Sequence, residues 1–170
     1  RDACIDSVSI SLDGLAPAHD AQRGLPGSFD AAIAAMRNLR DAGVPVSANS
    51  QINRVSFPDM DAVLDRILEH GAHGWQLAMT VPMGRAAERP EWLLQPDDLL
   101  VVFPKIAELA ARAKEGGCRV FAGNNVGYFG PYEDAMSAHS WHLAHTLLSV
   151  PLNLGLLLPE EVLDRVDDAY

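Results

Sequence analysis

The sequence predicts an α/β fold: a partial (β/α) TIM-type barrel of about four parallel strands with flanking helices, followed by a mostly helical C-terminal tail. Three observations predict it. Apolar runs alternate with amphipathic segments, and the cycle repeatedly closes on a glycine; strands alternating with helices pair in parallel through right-handed crossovers. The apolar runs recur at intervals of roughly 30 to 45 residues, a spacing that suits the βα units of a barrel. Polar groups collect just past the end of each run, where such folds build their sites. Four strands cannot close a barrel, so part of a barrel and an open parallel sheet are both compatible with the pattern.

The first strand is expected at residues 6–12, delivering Ser11 and Asp13 to its tip. His19-Asp20-Ala21-Gln22-Arg23-Gly24 reads as a loop that returns a fixed positive charge over that tip. A helix follows from Ser28, a good N-cap, with Phe29, Ile33, Met36 and Leu39 on one stripe and Gly43 as its stop. The second strand is expected at 44–52. Pro58 suits the first turn of the next helix, which carries Met60, Val63, Leu64, Ile67 and Leu68 and ends at Gly71. The third strand is expected at 75–81. A loop with Pro82, Gly84, Pro90 and Pro96 leads to a helix at 97–114; Gly116-Gly117 closes it before a fourth strand at 118–122. Beyond Glu133 the pattern changes. Residues 1–133 form the partial barrel, and 134–170 a tail with helices at 134–150 and 159–166, either native or the product of a reading-frame change. Residues 154–158 are the one candidate for a fifth strand.

Bulk composition excludes several functions. Hydrophobic residues make up 48% and charged residues 21%, an ordinary globular balance. A net charge of −10 opposes both nucleic-acid backbones and anionic lipid. Cys4 and Cys118 have no metal-ligand spacing and read as two buried free thiols. The apolar run 143–158 is too short and too interrupted to span a bilayer. With no signal peptide at its start and Arg1 rather than Met in first place, the chain reads as a cytoplasmic piece of a longer protein.

Four strand-end loops hold the candidate chemistry: Ser11, Asp13, His19, Asp20 and Arg23; Asn49, Gln51, Asn53 and Arg54; Met79, Thr80, Pro82, Gly84 and Arg85; Gly123, Asn124, Asn125, Gly127 and Tyr128. The set is rich in hydrogen bonders and arginine and poor in catalytic bases, so no catalytic or metal residue is assigned. Arg23 and Arg54 suit a two-pronged contact with a carboxylate, and Ser11, Asn49 and Gln51 suit a ribose or an amino-acid head group. Blander alternatives stand beside these. Asp13-Gly14 can be a plain turn, Arg23 can pair with Asp20, Asn49 and Gln51 can be solvated, and Arg85 can be a solvent-exposed loop residue. His139, His142 and His145 recur at helical spacing but lack a companion ligand, and a surface cluster without function is the plainer reading.

The segments VSISLDG at 8–14, HDAQRG at 19–24, GSFDAAIAAMRNLRDAGV at 27–44, INR at 52–54, PMGRA at 82–86 and GNNVGYFGPYE at 123–133 carry a resemblance. Their order resembles the second half of the barrel in radical S-adenosylmethionine enzymes, in the branch with a C-terminal SPASM domain, whose members commonly modify peptides. The resemblance implies a partial barrel, S-adenosylmethionine and a [4Fe–4S] cluster held by a C-x-x-x-C-x-x-C loop, with 5′-deoxyadenosyl radical chemistry. It places Ser11, Asp13, Arg23, Asn49, Gln51 and Arg54 on the cofactor and Trp75, Gln76 and Tyr128 on the substrate side. The cluster cysteines and the SPASM cysteines are absent from this sequence, and two cysteines cannot supply three thiolates. The expectation is a fragment, inactive alone, whose partners are the missing N-terminal half of the barrel and a peptide or small-molecule substrate. The alternative is a non-catalytic small-molecule-binding module using the same strand-end pocket.

Overall fold

The computed structural model describes residues 5–123 and residue 126. Its centre is a four-stranded sheet of β1 (Val8–Ser11), β2 (Val46–Ile52), β3 (Gly74–Met79) and β4 (Arg119–Ala122), in that spatial order and parallel throughout. The intervening helices are α1 (Ala16–Arg23), α2 (Ser28–Asp41), α3 (Met60–Glu69) and α4 (Leu99–Glu115). This is the alternation read from the sequence, with each strand one to three residues shorter than expected.

Strand periodicity separates two faces. In β2, Val46, Ala48, Ser50 and Ile52 are buried, while Ser47, Asn49 and Gln51 are not. Trp75, Leu77 and Met79 of β3 point the same way as the buried set and join Met36 of α2, Met60, Leu64 and Ile67 of α3, and Ile106 and Leu109 of α4 in one core. Full burial of side chains this size contributes about 1.5–3 kcal/mol each before entropy is counted. Leu12, just past β1, is fully buried in the same cluster.

Two local expectations are corrected. His19 to Gly24 is not a loop: it is most of α1, which starts with Pro17 in its first turn and ends on Gly24 in the left-handed conformation (φ 65°). Ala16, Ala18, Ala21, Gln22 and Arg23 all favour helix, and that propensity outweighs the turn-like look of His-Asp. Ser28 is the first residue of α2 rather than its cap. Asp20 takes the capping role from outside, accepting from Gly27 N, Phe29 N and the Ser28 hydroxyl at 2.6–2.8 Å, which draws its carboxyl below the usual range through the two backbone N–H groups first. The proline-rich loop after β3 holds three short 3-10 turns, Gly84–Glu88, Pro90–Trp92 and Pro96–Asp98. Cys4, Asn124, Asn125, Gly127, Tyr128, the histidine cluster, the fifth-strand candidate and the 134–170 tail lie outside the described residues.

Candidate functional site

The face of the sheet opposite the helices is built in cross-strand rows. Ser9 and Ser47 stand level with Gly74 and Arg119; one step up, Ser11 stands level with Asn49, Gln76 and Phe121. Asn49 Nδ2 donates to Gln76 Oε1 at 3.1 Å along that row. Above it Gln51 stands level with Ala78, at the tip where Asp13 leaves β1. Asn49 and Gln51 therefore share one polar face with Ser11 and Gln76, and none of the four enters the helix-side core.

At the C-terminal ends of the strands a cavity of about 200 Å³ is lined by Asp13, Gln22, Arg23, Gln51, Asn53, Thr80, Met83, Arg85, Ala86 and Trp92. Asp13 organises it. The carboxylate, 4% exposed, accepts from Arg23 Nη2 on one oxygen and from the Gln51 backbone N–H on the other, at 2.8 Å. Asp13 is thus not a turn residue bonding its own backbone, and Arg23 pairs with it rather than with Asp20. Gly14 lets the chain leave the strand here at φ +116°; a Cβ on it would sit 2.7 Å from Ala18 Cβ. Asp13 N donates to His19 Nδ1 at 2.9 Å, and Asp13 O accepts from Gln22 Nε2 at 2.7 Å. Asn53 Nδ2 then links Gln22 Oε1 to Thr80 Oγ1, and Asn53 Oδ1 accepts from the N–H groups of Val55 and Ser56.

Burial lowers the pKa of His19, with Asp13 opposing that shift and Arg23 adding to it. Its Nδ1 accepts a backbone proton, so the imidazole is neutral and structural.

Two assigned residues are elsewhere. Arg54 does not reach the cavity: its Nε donates to Asp98 Oδ2 at 2.8 Å, and it lines a separate groove with Phe57, Leu94, Asp97 and Val101. The tight Asn53–Ser56 turn spends Asn53 on the site side and turns the next residue away. Trp75 is not on the substrate side. It is fully buried, and its Nε1 donates to Ser50 Oγ at 2.8 Å, which in turn donates to Leu12 O at 2.5 Å. Neighbouring strand residues face opposite ways, so Trp75 and Gln76 cannot share a face. Asn53, Thr80 and Arg85 stand at strand ends in the sequence without an assigned role, Gln22 is named there only as part of the returning segment, and nothing in the sequence singles out Trp92. Gln22 was hidden by taking α1 for a loop: at i and i+1 of the helix end, Gln22 and Arg23 both reach back to Asp13.

The donor set suits the carboxylate end of an amino-acid-bearing cofactor. Arg23 and Arg85 face the cavity, and the buried Arg23 Nε has no hydrogen-bond partner among the described residues. The cavity is smaller than the several hundred Å³ that a whole nucleoside-sized ligand fills, leaving the rest of such a ligand to the polar face of the sheet. An iron–sulfur cluster does not fit the described residues, which gather no group of three His, Cys, Asp or Glu side chains.

No family model matches the chain. It is 40% identical over 87 residues to the AdoMet-dependent heme synthase of Nitratidesulfovibrio vulgaris, a match covering 49% of this chain and 23% of that protein. It is 32% identical over 92 residues to the AdoMet-dependent heme synthase of Methanosarcina barkeri, covering 54% and 26%. It is 32% identical over 82 residues to the sporulation killing factor maturation protein SkfB of Bacillus subtilis, covering 48% and 20%. The match spans about a quarter of the length of these relatives. All three are radical S-adenosylmethionine family members, and about half of this chain is similar to them.

Proposed function

We propose that this chain forms one wall of a radical S-adenosylmethionine enzyme that acts on a peptide or a small molecule, with its polar sheet face and strand-end cavity turned towards the cofactor. The observation that carries this reading is the row Ser11–Asn49–Gln76, level across three strands, free of helix and leading up to Asp13 and Arg23. S-adenosylmethionine, when bound beside a reduced iron–sulfur cluster, supplies the hydrogen-abstracting radical. The residues of this chain bind and orient. Ser11, Asn49 and Gln51 offer hydroxyl and amide groups to ribose and amino-acid atoms. Asp13 fixes the Arg23 guanidinium at the cavity wall.

The cluster ligands, on this reading, come from barrel strands that join the sheet at β1. Among the described residues β1 pairs with β2 alone, and an unpaired parallel edge invites such a neighbour. Substrate type follows the relatives in two directions, since one set is named for heme and Fe-coproporphyrin III and another for maturing a killing factor. Cytoplasmic residence belongs to the same reading, supported by the free, buried thiol of Cys118. A non-catalytic binding module using the same pocket is the second reading, favoured by the missing set of cluster ligands among the described residues.

The test is a titration of the isotope-labelled 170-residue chain with S-adenosylmethionine, followed by backbone amide resonances. Saturable shifts at Ser11, Asn49 and Gln51 are expected. No shift at millimolar cofactor, or shifts confined to the Arg54 groove, would refute the assignment of this face. Anaerobic reconstitution is expected to leave the chain without a stoichiometric cluster.

A further inference from the structure

The four strands follow one another in chain order and all run parallel, so the chain winds in one direction only. A doubly wound sheet reverses its strand order and takes helices on both faces; this sheet keeps one face free of them. That is the arc of a barrel, in which strands curve round an interior filled by side chains.

Both edges of the arc are bare among the described residues, since β1 pairs with β2 alone and β4 with β3 alone. The ladder bonds fix which backbone groups those edges present. Val8 N and Leu12 N donate to Pro45 O and Asn49 O, so Ser9 and Ser11, of the other parity, turn their N–H and C=O outward. Arg119 N and Gly123 N donate to His73 O and Leu77 O, so Val120 and Ala122 turn theirs outward on β4. The edges also carry opposite charge. Asp6 is exposed just before β1 and Arg119 at the start of β4, neither of them ion-paired among the described residues. On the open face Phe121 is 43% exposed, its ring laid over Gly74, where a Cβ would stand 3.0 Å from Phe121 Cε2. With Ser9, Ser47, His73 and Gln76 it borders a cavity of about 460 Å³ that no facing wall closes among the described residues.

We propose that the partner of both edges is a second copy of this chain: β4 of each copy pairs in parallel with β1 of the other and closes an eight-stranded barrel about a two-fold axis. The parts match. Eight parallel strands close a barrel, and this sheet supplies half of them. Strand directions agree at both seams. Arg119 of one copy comes to the end of the seam where Asp6 of the other stands. Each β4 lies opposite the other β4, so the two Phe121 side chains face one another across the interior. The inference goes beyond the functional reading, which gives the β1 edge to further barrel strands and leaves β4 unassigned. Those strands, where present, compete with the second copy for β1.

Light scattering on the 170-residue chain tests it, in about 0.15 M salt, where the like charge of the two copies is screened beyond about 8 Å. Twice the 18.4 kDa of one chain is expected. Ser9→Pro and Ala122→Pro each remove one outward N–H and no ladder bond within the sheet. Each is expected to weaken the dimer roughly tenfold, the scale of one hydrogen bond lost at each seam, and Ser9→Ala is expected to leave it unchanged. An equimolar mixture of the two proline variants is expected to associate more tightly than either alone, because one of its two seams is intact. Arg119→Asp is expected to weaken the dimer and Asp6→Arg in the same chain to restore it; circular dichroism checks that every variant folds, and the charge pair carries the test if a proline variant does not. A mass of one chain at the highest soluble concentration would overturn the proposal. A dimer weakened by Ser9→Pro but not by Ala122→Pro would mean that β1 pairs with β1, and species growing beyond two copies would mean that the seams do not close; either result refutes the closed barrel. None of these outcomes touches the backbone shifts at Ser11, Asn49 and Gln51 on which the cofactor reading stands.

Discussion

The carboxylate of Asp13 accepts the backbone N–H of Gln51 at 2.8 Å, two residues beyond the last regular pair between their strands, Ser11 with Asn49. A side chain thus replaces a ladder bond and ties the end of β1 to β2, while its second oxygen holds Arg23. Asp13→Asn leaves an amide that can accept on one side only, so either the Gln51 N–H or the Arg23 guanidinium loses its acceptor. A loss of about 2 kcal/mol is expected, less than for a fully buried pair because Arg23 keeps partial contact with water. Urea unfolding measures it, and an unchanged midpoint would show that the bond contributes nothing.

His19 makes stability depend on pH with a definite sign. It is buried edge-on against Phe29, with ring centroids 6.1 Å apart, and Asp13, Arg23 and Asp20 are the charges around it. Its folded pKa lies below the ordinary 6.5, burial being the main cause. The unfolded chain therefore takes up the proton first. The stabilisation is complete above pH 6.5 and is lost as the pH falls towards the folded pKa. Urea midpoints are expected to drop between pH 7.5 and pH 5.5 in the parent chain. His19→Asn, which keeps an acceptor for Asp13 N, is expected to flatten that slope; an equal slope in both would remove His19 as the cause.

Cys118 precedes β4 and is 1% exposed, and burial pushes its thiol up to about 11. At pH 8 almost none of it is thiolate, which is the reactive form. In a Cys4→Ser background the native chain is expected to react with Ellman's reagent only at the rate at which it unfolds, and at once in urea. Rapid native labelling would show the strand end to be open.

Much of the fold was legible because apolar spacing reports burial directly. The stripe of Met60, Val63, Leu64 and Ile67 and the alternation of Val46, Ala48, Ser50 and Ile52 are both in the core, on the predicted elements. What stayed hidden was set by contacts distant in sequence. Asp20 looked like a partner for Arg23 because three positions separate them, yet it caps α2. Thr80 and Gln22 meet only through Asn53, a side chain on a third element. Period-two alternation was available for Trp75 and Gln76, and the error there was to read two adjacent polar-capable residues as one surface.

Trp75 gives a direct test of that correction. Trp75→Phe removes the Nε1–H donated to Ser50 and leaves a small void in the core, at a cost of about 1–2 kcal/mol. The parent chain is expected to show blue-shifted emission from Trp75. Because the ring is on the helix side, the substitution is expected to leave S-adenosylmethionine binding unchanged. A tenfold loss of affinity in a variant that remains folded would return Trp75 to the ligand side.

Arg54 and Arg23 are the sharpest pair to compare, since both were expected at one carboxylate and the structure separates them. Arg54 is turned to Asp98, whose carboxyl is drawn below its usual range first by Arg54 and then by the Gln95 N–H it caps. Its role is to pin the turn before α4, and an exposed pair of this kind adds little to stability. Arg23 stands in the cavity with a free Nε–H. Arg23→Gln is therefore expected to weaken S-adenosylmethionine about tenfold, the scale of one charge-assisted contact, while Arg54→Gln leaves binding unaltered. The same titrations with Asp98→Asn settle whether Arg54 is merely restrained: once released, it is still separated from the cavity by the Asn53–Ser56 turn, so binding should again be unaltered. If Arg54→Gln lost affinity as fully as Arg23→Gln, the groove beside α4, and not the strand-end cavity, would have to hold the cofactor.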